Sequence, residues 1–237
     1  MNSTTLYIFA NWKCHLSSNE GRRWFDRFAA RYQPHGRLQV VVAPTVLSLE
    51  ALAAHLGQLS LPGVALAAQD VSPFPKGSYT GAVAADMITG LARYAIVGHF
   101  ERRRYFHETT MEVVRKVGEV VDVGLTPLIC VDDDIAVAQL GALDDNLEEA
   151  PLIAYTPTPA ANISVAAPPA RVAEAVSRIH RLFPEWPILY GGGVRTDNVL
   201  DYLGLAGLAG VFIGGASLDP DGFAAMCNQV TRYLNGE

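Results

Sequence analysis

Half of the 237 residues are apolar and fewer than one in five is charged, so the chain has ample material for a large buried core. A net charge of −6 argues against nucleic acid or an anionic membrane surface as partner. No run approaches the roughly 18 apolar residues of a membrane span, and the N-terminal stretch lacks the basic and apolar regions of a secretory leader. Cys14, Cys130 and Cys227 are scattered, odd in number and without metal-ligand spacing. They read as free thiols of a reducing compartment, and a cytoplasmic protein is expected.

Eight near-continuous apolar runs follow one another, at Leu6–Ala10, Val40–Ala43, Ala65–Gln69, Tyr94–Val97, Pro127–Val131, Leu152–Tyr155, Ile188–Tyr190 and Gly210–Ile213. Runs of this kind are expected of parallel strands buried on both faces. Helical patterns separate them. Ser17 and Glu20 form a capping box ahead of Trp24, Phe25, Phe28 and Tyr32 at helical spacing. Thr109 and Glu112 repeat the device before Val113, Val117 and Val120, and Gly124 stands where the residue after a helix C-cap belongs. Asp219-Pro220 reads as an N-cap with proline at the first helical position, leading into Phe223, Cys227, Val230 and Leu234. No linker divides the chain, so residues 1–237 are expected to form one domain. Strands alternating with helices allow an open doubly wound sheet or a closed barrel, and eight units favour a single (β/α)8 barrel.

Polar groups gather where these runs end. Asn11 and Lys13 follow the first. The fourth ends in Val97-Gly98-His99, then Glu101 and Arg102 to Arg104. Glycines follow the seventh, Gly191-Gly192-Gly193, and the eighth, Gly214-Gly215. Glycines let backbone N–H groups converge on a phosphate or another small dianion, and Lys13 adds a cation. A lone histidine at a strand end is usually a satisfied structural group. The other five, His15, His35, His55, His107 and His180, have no ligand spacing, so neither metal nor cofactor is expected.

Taken in order, these stretches resemble triosephosphate isomerases over nearly the whole chain. The matching motifs are Asn11-Trp12-Lys13, Gln69 to Gly81, Val97-Gly98-His99 with Glu101-Arg102-Arg103, Gly124 to Val131, Tyr190 to Val194 and Ile213 to Leu218. The resemblance implies a barrel whose catalytic groups include His99 as the electrophile that polarises a carbonyl, with Lys13, Asn11 and Glu101 beside it. It implies a phosphate site at Gly192, Gly193, Gly214 and Gly215, and a homodimer through the loop near 70–81.

One position departs from that pattern. The family's general base is a glutamate just past strand six, in a Tyr-Glu-Pro context, followed by a mobile lid. Here the strand continues Tyr155-Thr156-Pro157, and no glutamate lies between Pro151 and Arg171. A neutral hydroxyl cannot take a proton from carbon near neutral pH, so Thr156 stands at a lost base position. The lid through Ser164 lacks the family's tryptophan and tip glycines, Phe100 stands where serine is usual, and Gly193 replaces a serine in the strand-seven turn. The expected protein binds a small phosphorylated or anionic carbonyl compound but has lost, or strongly impaired, the interconversion of glyceraldehyde 3-phosphate and dihydroxyacetone phosphate. Two alternatives stand beside it. One is an isomerase or lyase of altered substrate that uses Cys130 or Asp132 as base; the other is a non-catalytic metabolite-binding protein.

Overall fold

A computed structural model describes residues 5–143, 147, 150–157 and 165–237. The strands are β1 (Leu6–Asn11), β2 (Leu38–Ala43), β3 (Val64–Ala68), β4 (Tyr94–Val97), β5 (Thr126–Val131), β6 (Leu152–Tyr155), β7 (Ile188–Gly191) and β8 (Leu208–Ile213). They close in sequence order into a parallel barrel, β8 pairing back onto β1 through Tyr7–Gly210 to Ala10–Ile213. The helices α1 (Ser18–Ala29), α2 (Val46–Leu59), α3 (Ala85–Ile88), α4 (Phe100–Phe106) and α5 (Thr110–Asp122) precede β5. After it come α6 (Ala136–Gly141), α7 (Pro169–His180), α8 (Val199–Leu203) and α9 (Pro220–Asn235). This is the (β/α)8 barrel expected from the alternation of runs.

Two cores follow from the two-residue period of the strands. Phe9, Val41, Ala67, Ile96, Leu128, Ala154, Leu189 and Phe212 fill the barrel, as the layered side chains of such barrels do. Their neighbours Ile8, Ala10, Val40, Val97, Ile129 and Ile153 face the helices. There Trp24 stacks on Phe28 at 5.0 Å and meets Trp12 edge-on at 4.9 Å, locking α1 to β1. Each such side chain contributes about 1.5–3 kcal/mol on burial.

The caps form as expected. Glu20 accepts from the Ser17 N–H at 2.9 Å, and Thr109 exchanges bonds with Glu112. Asp219 accepts from the N–H groups of Asp221 and Gly222. Gly124 takes φ +74°, closing α5. One helical expectation fails. Tyr32 lies beyond α1, which ends at Ala29; the chain turns after Ala30 and Tyr32 still stacks on Phe28 at 4.8 Å. Among the described residues no helix is long and apolar enough to cross a membrane.

Candidate functional site

Parallel strands put all their C-terminal ends at one mouth. There Asn11, Lys13, His99, Thr156, Gly192, Gly193, Gly214 and Gly215 line one cavity of about 340 Å³. The residues that the resemblance singled out therefore meet, apart from Glu101. Glu101 lines a larger neighbouring hollow of about 1030 Å³ with Lys13, Gln69 and the loop after β3.

Lys13 sits just past β1 with φ +52°, a left-handed conformation uncommon outside glycine. Its neighbours hold it there from both sides. Its N–H donates to Asn11 Oδ1 at 2.9 Å, and its carbonyl accepts from Gln69 Nε2 at 2.8 Å. Backbone strain persists where surrounding contacts over-determine it. Beyond that anchor, Nζ pairs with Glu101 Oε1 at 2.7 Å.

His99 is the N-cap of α4 and only 6% exposed. Its Nδ1 accepts from the Glu101 N–H at 3.3 Å, which leaves the proton of the neutral ring on Nε2. Phe100 packs on the imidazole at 4.7 Å and Phe212 meets it edge-on at 6.1 Å. Burial pushes the ring's pKa down to about 4; the Glu101 carboxylate opposes this, and the Lys13 and Arg103 cations reinforce it. The imidazole is therefore a neutral hydrogen-bond donor near pH 7. Arg103 also steadies the surrounding backbone, donating to the carbonyls of Gly98 and Cys130 and to Asp132 Oδ2 at 2.7 Å.

Thr156 follows β6 directly. Its N–H and hydroxyl both donate to the Val131 carbonyl, at 2.8 and 3.3 Å. Its methyl packs on Gly191, where an added Cβ would come within 2.9 Å of it and of Phe212. Gly193 holds φ +59°, and its carbonyl accepts from Asn198 Nδ2 at 3.1 Å. Tyr190 ties this turn to the start of the α7 segment, donating to the Gly192 carbonyl and accepting from the Ala167 N–H at 2.8 Å. The rest of the expected lid, residues 158–164, lies outside the described residues.

The alternative bases stand elsewhere. Cys130 is fully buried in the barrel interior, and burial pushes its thiol up to about 12. Asp132 pairs with Arg103 and caps the turn before α6, accepting from the N–H groups of Asp134 and Ile135 at 3.1 Å. Neither lines the cavity. Sequence reasoning missed Phe212, Pro157, Val194 and Arg195, which do line it. The one available signal was the place of Phe212 near the end of the eighth apolar run, two residues before Gly214.

A sequence model of the family described as "Triosephosphate isomerase" matches residues 6–230. A triosephosphate isomerase of Symbiobacterium thermophilum is 34% identical over 248 residues, covering 94% of this chain and 96% of the relative. One of Thermus thermophilus is 34% identical over 92% of this chain and 96% of the relative. One of Alkalilimnicola ehrlichii reaches 40% identity over 68% of this chain and 74% of its own length. With a closed barrel in the same strand order as its sequence and this agreement along the chain, the protein belongs to the triosephosphate isomerase family.

Proposed function

We propose that this chain is a family member that binds a small phosphorylated or anionic carbonyl compound at the barrel mouth and isomerises triose phosphates poorly or not at all. Gly192, Gly193, Gly214 and Gly215 would take the anion, with Lys13 as its counter-cation. His99 would donate from Nε2 to the carbonyl oxygen. The observation that carries the reading is Thr156: the only side chain that follows β6 into the cavity among the described residues, besides Pro157, is a hydroxyl already committed to the Val131 carbonyl. Enolisation needs a group that accepts a proton from carbon. A positioned general base is worth about 10²–10⁴-fold, so its loss leaves polarisation and binding with little turnover.

A homodimer through residues 70–81 belongs to the same reading. Phe74 and Tyr79 stack at 4.5 Å and stay substantially exposed, and Leu47 is 89% exposed across the same hollow. A cytoplasmic location and a single domain over residues 1–237 complete it.

The test is a coupled assay with glyceraldehyde 3-phosphate. The expected result is a rate at least about a hundredfold below that of the Thermus thermophilus relative assayed alongside. A rate equal to that relative's overturns the reading.

A further inference from the structure

We propose that the mouth cavity selects an anion carrying a flat apolar arm, with Phe100 and Phe212 as the residues that choose it. This rests on the anion-binding reading above and narrows the ligand class. The cavity is lined by two unlike sets of groups. One is the glycine turns with Arg195 and Lys13, whose Cε would stand 3.8 Å from a Cβ at Gly214. The other is Phe100, Pro157, Val194, Phe212 and Ala216, whose side chains carry no donor or acceptor.

Of the polar groups near these side chains, two are already engaged, and the His99 Nε2–H, on the ring that touches both Phe100 and Phe212, is left for a single acceptor on the ligand. The Thr156 hydroxyl donates to Val131, and Asn11 Oδ1 accepts from Lys13. Beyond that one His99 donor, a polyhydroxylated arm laid on these five side chains would lose water without gaining a partner from them, whereas an apolar arm gains by burial. Phe212 is held rigidly, edge-on to Phe9 at 5.8 Å inside the barrel. Phe100 is held by His99 at 4.7 Å and by Lys13 Nζ at 5.6 Å from its ring. The second contact places the cation beside the aromatic face, so one ligand can meet both: an anionic group at Lys13 and a ring offset-stacked on Phe100. A volume of about 340 Å³ is at the small end of ligand pockets and suits one ring with one anionic group.

The experiment compares phenyl phosphate, glycerol 3-phosphate and inorganic phosphate by calorimetric titration. In the unmodified protein, phenyl phosphate is expected to bind at least about tenfold more tightly than glycerol 3-phosphate. Phe100→Ser should bring the two within about threefold, and Phe100→Leu should keep most of the preference. If Phe100→Ser does not fold, the comparison in the unmodified protein and Phe100→Leu decides. Equal or tighter binding of glycerol 3-phosphate overturns the proposal and leaves the anion site standing, as does a preference unchanged in Phe100→Ser. Binding of none of the three phosphates overturns both.

Discussion

The Nδ1 atom of His99 accepts from the backbone N–H of Glu101, two residues on, at 3.3 Å. That bond caps α4 and assigns the proton of the neutral imidazole to Nε2. The Glu101 side chain meanwhile reaches Lys13 at 2.7 Å, so the first and fourth strand ends are electrostatically joined.

The neutral state of His99 should be visible in the pH dependence of stability. In the unfolded chain the imidazole takes up a proton near its ordinary value of about 6.5, while in the fold it stays neutral down to about 4. Between these values the unfolded state binds more protons, so stability falls as pH falls. The loss attributable to His99 is about 3 kcal/mol across the window. Urea unfolding of the unmodified protein and of His99→Gln at pH 7 and pH 4.5 should show a smaller drop in the variant; parallel drops would count against a depressed histidine.

Thr156→Glu should restore a proton acceptor at the end of β6. If the electrophile and anion site are competent, trace isomerase activity should rise by at least about tenfold. A rise in kcat with little change in KM would identify the base as the missing element. No rise, in a variant that still binds phosphate, would place the defect elsewhere around the mouth.

The contact between Gly191 and Thr156 gives a stability prediction. A methyl at position 191 would come within 2.9 Å of the Thr156 methyl and of Phe212 Cδ1, and 3.0 Å of the Phe212 carbonyl. Gly191→Ala should therefore cost about 1–3 kcal/mol as overpacking. Thr156→Ser removes one of the obstructing atoms, so the double variant should lose less than the two single changes added together. Denaturant midpoints for the four proteins of this cycle measure the coupling.

Lys116 should behave as a buried structural cation. It is almost fully enclosed, with Nζ bonded to Glu108 and to Asp70 Oδ1 at 2.7 Å, while Arg102 holds the other Asp70 oxygen at 3.0 Å. Lys116→Met leaves two carboxylates facing a lost partner and should cost about 3–5 kcal/mol in chemical denaturation. A loss below about 1 kcal/mol would mean that solvent already screens the cluster.

Much of this architecture could be read from residue order because strands buried on both faces leave unbroken apolar runs. Leu152–Tyr155 and Tyr94–Val97 match their strands to the residue, and β2 and β8 gained two residues at their starts. Those added residues, Leu38-Gln39 and Leu208-Ala209, are flanked or interrupted by polar or small side chains that blur the pattern. Lys116 shows the opposite failure. It lies on the buried face of α5 between Val113 and Val117, yet a lysine breaks an apolar stripe when no partner is visible. Its partners Asp70 and Glu108 come from other segments. At the mouth, His99, Lys13 and the glycine turns were legible because each ends a strand. Phe212 was not, since Val211, Phe212 and Ile213 are all apolar, and an unbroken apolar run does not say which alternate residues face the barrel interior.

Because β8 hydrogen-bonds back onto β1, every strand has two neighbours and the sheet has no free edge. No second chain can extend it by strand addition, the route by which open sheets aggregate or exchange segments. Any association of this protein must instead be written in its loops and helices, the same parts that hold its chemistry. A change there that alters what the mouth binds can alter, in the same stroke, what the molecule assembles with.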